Sequence, residues 1–586
     1  MPSFPIRFVR CLFAAVFALP FAQQASAQFV FVGPASDPDC DYNSIQAAID
    51  AWAASPDSDF VTVFIANAQA WPAQAITIPT PLASSGLGFR GEFPGCRLEA
   101  QGGRAVLDGT GGLAAPVIDI EGTTAGDEAR FEVVLGNLDI TGGDHAGGNG
   151  GGVRLRGNVV LSVVEGRIHD NAAQNGAGIA VEATAAGVPH LIMLGNQLPT
   201  SIVDNVASGD GGGLFCSAAT MYCDRYCQVA GNSAAGNGGG VAQHDCGTSM
   251  FPQPNSAVAD PAAGLRGNTA AGDGGGAWVS GGYFGLDGSL PAKPAQVAGN
   301  IAGGSGGGLY YTGLGDASNM HRGVQFDDNQ AGGDGGALFA DSGFLQLFAL
   351  QACGEPEGCM RFRGNHADGA GGAIALSGNA SGLLSSLMFA DNDAAHASVL
   401  QVGGAGAGVT LTNVHVAGNH GASELLRSSG AYVDLRYVTV ADNGSDDDAL
   451  VRFDAAGGFC ASNSLLHDAN GVDSGIVVAE PGGTTFNLDC VLVHDDTGLA
   501  GQPGVTDLVV ADPQWDTSGS YPAGLYVPGP DSPAVDACGF GTGAIPDLLG
   551  TARPQDLPRP DGVGPFDMGA IERLPDRIFG DGFEMP

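Results

Sequence analysis

The chain has 586 residues, 97 of them glycine, and hydrophobic residues make up 44 % of it. Its 22 Lys and Arg against 62 Asp and Glu give a net charge of −40. That balance argues against nucleic acid and anionic membrane surfaces as partners, since both need concentrated cationic charge. The apolar fraction argues against a disordered chain.

Residues 1–27 read as a signal peptide. Arg7 and Arg10 supply a positive start, residues 11–22 an apolar run, and Ala25, Ser26 and Ala27 a cleavage site before Gln28. An exported protein is expected: extracellular, cell-surface or periplasmic. Residues 28–59 read as an N-terminal cap. Asn43 or Ser44 can N-cap a short helix there. Ile45, Ala48, Ile49 and Trp52 then share one apolar face.

From residue 60 to 505 one phrase recurs. A hydrophobic residue stands three before an Asn, a Gly cluster follows, and an apolar strand follows that. Phe326 precedes Asn329, for example, and Gly335, Gly336, Ala337 and Leu338 come after. The Asn positions are Asn171, Asn205, Asn232, Asn268, Asn300, Asn329, Asn365, Asn392 and Asn419, with a weaker copy at Asn443. Successive ones lie 24 to 36 residues apart. Such uneven spacing suits a parallel β-helix, whose coils need only their strands in register while loops vary. Asn tolerates a left-handed corner, and its amide can bond to the Asn one coil away. The expected fold is therefore all-β: a single-stranded, right-handed parallel β-helix solenoid with a short N-terminal capping helix. The Asn residues should line one edge of it. A Pro-rich segment follows at 506–575, then a tail at 576–586.

These motifs resemble known families. The Phe-x-x-Asn and Gly-Gly-Ala-Leu/Ile phrases are similar to the repeats of polymorphic outer-membrane proteins, which are surface-exposed β-helix adhesins. The stretch from Tyr42 to Asp50 resembles the N-terminal cap of the pectin-lyase-like superfamily. Three further groups resemble the choice-of-anchor Q domain of exported bacterial β-helix proteins: Ala511 to Pro513 with Asp531 to Ala537, Gly550 to Pro554, and Phe566 to Glu572. The last residues are similar to a short terminal tag on some exported bacterial proteins. The resemblances imply a non-enzymatic exported or cell-surface protein that presents an extended face for adhesion or carbohydrate contact. Its partner would be a polysaccharide or a surface receptor.

The alternative is a lyase or hydrolase acting on an acidic polysaccharide. The Gly-His-Gly and Arg-x-Lys motifs of polygalacturonase-like families are missing, and Lys293 is the only lysine. Alternation places Asp434 and Arg436 outward on one stretch, and Arg452 and Asp454 outward on another. They are the candidate catalytic residues, expected to cluster near Asp446, Asp447 and Asp448. No cofactor is expected. Calcium would suit the acidity, but the Gly-Gly-Asp-Gly-Gly of 332–336 lacks the second Asp of a calcium repeat and reads as a turn. Cys216, Cys223, Cys227, His244 and Cys246 offer zinc ligand types, but disulfides are expected in an oxidising compartment. The expected pairs are Cys40–Cys96, Cys216–Cys246, Cys353–Cys359 and Cys460–Cys490, then Cys223–Cys227. Both 30-residue spacings are read as one coil, and Cys538 is left as the free thiol.

Overall fold

The computed structural model describes residues 28–574, apart from 55–59, 81–85, 99–101, 124–130, 252–262, 289–293, 314–317, 350–351, 354–358, 422–423, 445–448, 468–475, 479–483, 495–498, 500, 522–523, 542–544 and 557–562. The expected signal peptide and terminal tail, Lys293 and the run from Asp446 to Asp448 lie outside the described residues.

One coil shows how the chain builds the rest. Leu214–Ser217 lies on a first face, Thr220–Asp224 on a second, Cys227–Ala230 on a third and Ser233–Ala234 on a short fourth strip. The chain then returns to the first face at Val241. Leu214 pairs with Val241, Cys227 with Thr200 and Ser233 with Val206, all in parallel. Repeated, this makes a 38-stranded sheet that winds over three faces and a separate 9-stranded sheet from the short strips. The protein is a parallel β-helix. Alternation points Leu, Val, Ile and Phe into its bore, where nearly all are buried. Phe326 stacks on Phe362 at 4.5 Å and 2°, and Phe362 on Phe389 at 5.1 Å.

The Asn residues form a buried ladder. The side-chain Nδ2 of each, from Asn171 to Asn419, donates to Oδ1 of the next at 2.8–3.0 Å. The same Oδ1 accepts the backbone N–H of the Asn before it, as Asn232 does from Asn205 at 3.1 Å. Nδ2 also reaches back one coil, as from Asn329 to the Val297 carbonyl at 2.8 Å. The left-handed residue is not the Asn, as expected from sequence, but the Asp or Gly before it: Asp204 at φ 57°, Gly231 at 65° and Asp328 at 55°. Turning one residue earlier leaves both ends of the Asn amide free to bond along the stack. The Gly clusters have a different cause. A Cβ on Gly239 would stand 2.5 Å from the Gly275 carbonyl oxygen of the next coil, so the backbones pass too closely for any side chain.

The ends depart from the sequence boundaries. Gln28–Val32 is already a strand, paired with Val61–Ala66, so the winding begins before the helix. Val505–Val510 continues it past residue 505, paired with Thr485–Val493. The single described helix is Ile45–Ala54, and Ser44 caps it by accepting the Ala47 N–H. Its buried Ile45, Ala48, Ile49 and Trp52 cover the core. Gln46 bonds both the N–H and the carbonyl of Thr77, closing the open edge of the first-face strand Ile76–Pro79.

The Pro-rich segment lies against the outside of the third face. Gly569 N–H donates to the Asn463 carbonyl, Ala570 N–H to Thr439 Oγ1, and Tyr526 N–H to His415 Nε2 at 3.0 Å. Arg553 sits over the Tyr437 ring at 4.1 Å and pairs with Glu572 at 2.8 Å, both side chains wholly buried. Asp567 accepts the N–H groups of Asp536 and Arg573. The residues that carry the choice-of-anchor resemblance therefore hold this segment in place.

Five disulfides form among the described residues: Cys40–Cys96, Cys216–Cys246, Cys223–Cys227, Cys353–Cys359 and Cys490–Cys538. The expected Cys460–Cys490 bridge does not form, and among the described cysteines Cys460, not Cys538, is the free thiol. Register explains it. Cys460 pairs with Asn487 on the next coil, so Cys490 falls three residues past that rung, at a left-handed corner facing Cys538. Cys216 likewise pairs with Gln243, so its bond reaches Cys246 across a corner and not along a rung.

Two predictions follow from this packing. Phe326→Asp puts an unpaired charge into the stacked bore and should cost roughly 4 kcal/mol or more; calorimetry showing an unchanged Tm would contradict it. His321 and His415 are fully covered, and burial pushes them down to about 3 and about 4. His321 Nδ1 accepts the Leu286 N–H and its Nε2 meets the Tyr311 hydroxyl at 2.6 Å, which requires a neutral ring. Both rings take up protons in the unfolded chain near pH 6.5 but not in the fold. Their stability is therefore fully present above about 6.5 and is lost as pH falls toward 4. The expected slope is about 1.4 kcal/mol per pH unit for each ring. Urea denaturation across pH 4.5–7 should show that slope reduced in His415→Gln.

Candidate functional site

Among the described residues the bore is largely apolar and holds a cavity of only about 30 Å³ between Leu400, Leu411, Leu435 and Val451, so binding chemistry must sit on the outward positions of the faces. On the first face, register carries one outward row through Ala180, Phe215, Ala242, Trp278, Tyr310, Phe339 and Ala375. Four of these residues are aromatic. Phe215 is nearly covered, while Trp278, Tyr310 and Phe339 are half-buried. Tyr310 and Phe339 stack at 4.9 Å and 13°. His244, in the neighbouring outward row, stands 5.6 Å from Phe215 and 4.8 Å from Trp278. Ala180, Ala242 and Ala375 interrupt the row and are themselves covered; Ala180, Phe215 and Ala242 form a small buried apolar cluster against Trp278.

The rim is polar and acidic. Thr312 Oγ1 donates to Asp341 Oδ2 at 2.8 Å. Burial, then Asp273 and Asp341, pushes the Tyr310 hydroxyl up to about 12, so it remains a hydrogen-bond donor at any physiological pH. An aromatic floor with hydroxyl and carboxylate neighbours can take the C–H face of a sugar ring while bonding its hydroxyls. Sequence reading missed this row. The signal was present: the fourth residue after the first glycine of each cluster reads Phe215, Ala242, Trp278, Tyr310, Phe339, Ala375.

The charged residues singled out from sequence do not form one cluster. Asp434 and Arg436 lie on the second face, Arg452 and Asp454 on the first face, with a corner of the coil between them. Arg436 donates twice to Asp434, at 2.9 and 2.6 Å, and covers it to 7 % exposure. Arg452 bonds Asp454 at 3.0 Å, and Arg427, which sequence reading did not select, bonds its other oxygen. Burial pushes the Asp454 carboxyl up, but the bonds from Arg427 and Arg452 outweigh it and hold it below the usual carboxylate range. The bond to Asp434 raises Arg436 further above its ordinary value. A lyase base must give up its proton, and this pairing opposes that.

Asp334, in the loop of 332–336, accepts the Ala370 N–H at 2.8 Å and so serves as a turn residue. Of the zinc ligand types around Cys216, the four cysteines are consumed by two disulfides, and His244 packs against Phe215 and Trp278.

Residues 323–341 match the Chlamydia polymorphic membrane protein repeat. The matched stretch contains Phe326, Asn329 and Phe339: a bore residue, a ladder residue and one ring of the aromatic row. No curated protein matches the chain. No helix among the described residues is long and apolar enough to cross a membrane.

Beside Asp434, the Tyr432 hydroxyl donates to Cys460 Sγ at 3.0 Å; that bond, then burial, pushes the hydroxyl up to about 12. Alkylation without reductant followed by peptide mapping should yield a linked Cys490–Cys538 peptide and an alkylated Cys460. Recovery of a linked Cys460–Cys490 peptide would reject this arrangement.

Proposed function

We propose that the protein is an exported, cell-surface β-helix that binds glycans through the aromatic row of its first face and performs no reaction on them. The observation that carries this is the row itself: Trp278, Tyr310 and Phe339, half-exposed and turned outward on three successive coils. The repeat match at 323–341 supports a surface setting. The resemblances to the pectin-lyase-like cap and to the choice-of-anchor Q segment support export.

The charge selects the ligand class. A net charge of −40, with Asp273 and Asp341 near Tyr310, repels an acidic polysaccharide. A neutral polysaccharide, or the neutral glycan of a surface receptor, meets no such opposition. The row crosses the coils at about 4.8 Å per rung, so it suits an extended chain better than a single sugar.

Titration with neutral polysaccharides should shift the Trp278 fluorescence and saturate. Trp278→Ala and Tyr310→Ala should each lose about 1–2 kcal/mol, roughly five- to thirtyfold in Kd, with circular dichroism unchanged. Binding untouched by both substitutions would reject the row as the site. Unsaturated products from an acidic polysaccharide, with or without calcium, would establish the enzymatic alternative.

A further inference from the structure

Arginines are sorted unevenly over this acidic chain. Most described ones, from Arg90 to Arg573, have a carboxylate partner. Arg104, Arg167, Arg225 and Arg266 have none among the described residues. All four lie on or beside the third face, within six successive coils. Acidic residues outnumber basic ones 62 to 22, so a group of arginines left without a carboxylate needs a cause. Asp139, the rung neighbour of Arg167, is paired instead with His169. Burial pulls Arg104 below its ordinary value, and Arg167 pushes the same way against Asp139 and Glu165.

A cavity of about 290 Å³ opens inside this group, lined by Arg167, Ser201, Asp204 and Gln228, with Val203, Ala230 and Gly231 completing it. Register sets Arg167, Ser201 and Gln228 in one outward row on three successive coils, about 4.8 Å per rung. Ser201 is the short member, so the two long side chains flank a gap. Ser201 Oγ donates to Gln228 Oε1 at 3.3 Å, which leaves the amide N–H groups of Gln228 unused. Among the described residues no group accepts from that amide nitrogen or from the Arg167 guanidinium.

The guanidinium fork and the amide together offer at least three N–H groups to the gap. A sulfate ester has three terminal oxygens to meet them, and a carboxylate has two. A phosphate monoester would bring roughly two negative charges at pH 7 into a chain of net charge −40. Asp204 can only accept, so it fits a hydroxyl of the molecule that carries the sulfate. The volume suits one sugar-sized unit.

We propose that Arg167 and Gln228 bind a sulfate ester on a small hydroxylated molecule of monosaccharide size, with Ser201 holding the Gln228 amide and Asp204 accepting a ligand hydroxyl. Arg104, Arg225 and Arg266 offset the net charge locally, so a single sulfate is tolerated where a long acidic polymer is repelled. The site lies on the third face, apart from the aromatic row of the first, and does not rest on the glycan reading of that row.

The test is calorimetric titration of the whole chain with glucose 6-sulfate at pH 7.5 and low salt. One saturable site is expected, weakening as salt rises. Arg167→Gln and Gln228→Leu should each weaken binding at least about tenfold, with Tm unchanged. Arg167→Lys keeps the charge but not the fork, and should recover only part of the loss. Arg361→Gln, on the same row but paired with Asp327, should leave binding intact, as should Trp278→Ala in the aromatic row. No saturable binding, or binding untouched by Arg167→Gln, would overturn the site. Binding lost in Trp278→Ala would place the sugar on the aromatic row and overturn it equally. Glucose, glucuronate or glucose 6-phosphate binding as tightly would overturn the sulfate assignment. Inorganic sulfate binding as tightly would overturn the hydroxyl contact at Asp204.

Discussion

A parallel β-helix stands on one requirement: each coil must meet the next at the same register on every face. Backbone hydrogen bonds alone tolerate a slip, because every residue offers the same N–H and carbonyl. The Asn ladder does not. Each buried Asn both donates to and accepts from its neighbours in the stack, and also reaches a carbonyl one coil back. A slip of one residue would bury an amide without partners, at a cost comparable to much of a protein's net stability. It would also turn the inward hydrophobes outward. The ladder and the bore therefore enforce the same register from a corner and from the centre.

Fixed register frees the outside. Once inward residues stack on inward residues, each outward position also recurs on the next coil at strand spacing, and its identity is unconstrained by the core. Rows of side chains become extended surfaces without any further design. The aromatic row from Phe215 to Phe339 is one product. The row of Arg167, Ser201 and Gln228 is another, built on the third face. Both depend on coils of unequal length closing to the same rung, so the loops that vary in length do so without disturbing either row.

The C-terminal segment shows a second use of the outside. Its contacts with the third face combine buried apolar clusters, in which Leu465 and Leu492 meet Ala534 and Met568, with buried hydrogen bonds. The hydrogen bonds include those from Arg553 to Asn413 and from Tyr526 to His415, and a backbone bond to Asn463. Within its own segment Arg553 pairs with Glu572 and donates to two carbonyls, which stabilises its charge where water is excluded. Cys490 adds a covalent tie to Cys538. The directional bonds specify one docked arrangement, where the apolar contacts alone would tolerate several.

Local chemistry was legible in the chain. The interval from each inward hydrophobe to its Asn, the Gly clusters, and the apolar helix face at Ile45, Ala48, Ile49 and Trp52 determined the β-helix, its ladder and its cap. Each is a short-range pattern whose physical cause lies within a few residues. Tertiary structure decided what depends on counting along a whole coil. Cys460 and Cys490 share the 30-residue spacing of Cys216 and Cys246, yet only the latter pair bonds. The rung partner of Cys460 is Asn487, and Cys490 turns to a segment far along the chain. The same holds for Asp434 and Asp454, close in sequence but separated by a corner, and for Arg167 and Gln228, distant in sequence but two rungs apart. Loops of variable length hide these distances from a linear reading, because hydrogen bonding between coils, and not residue count, sets where each rung begins.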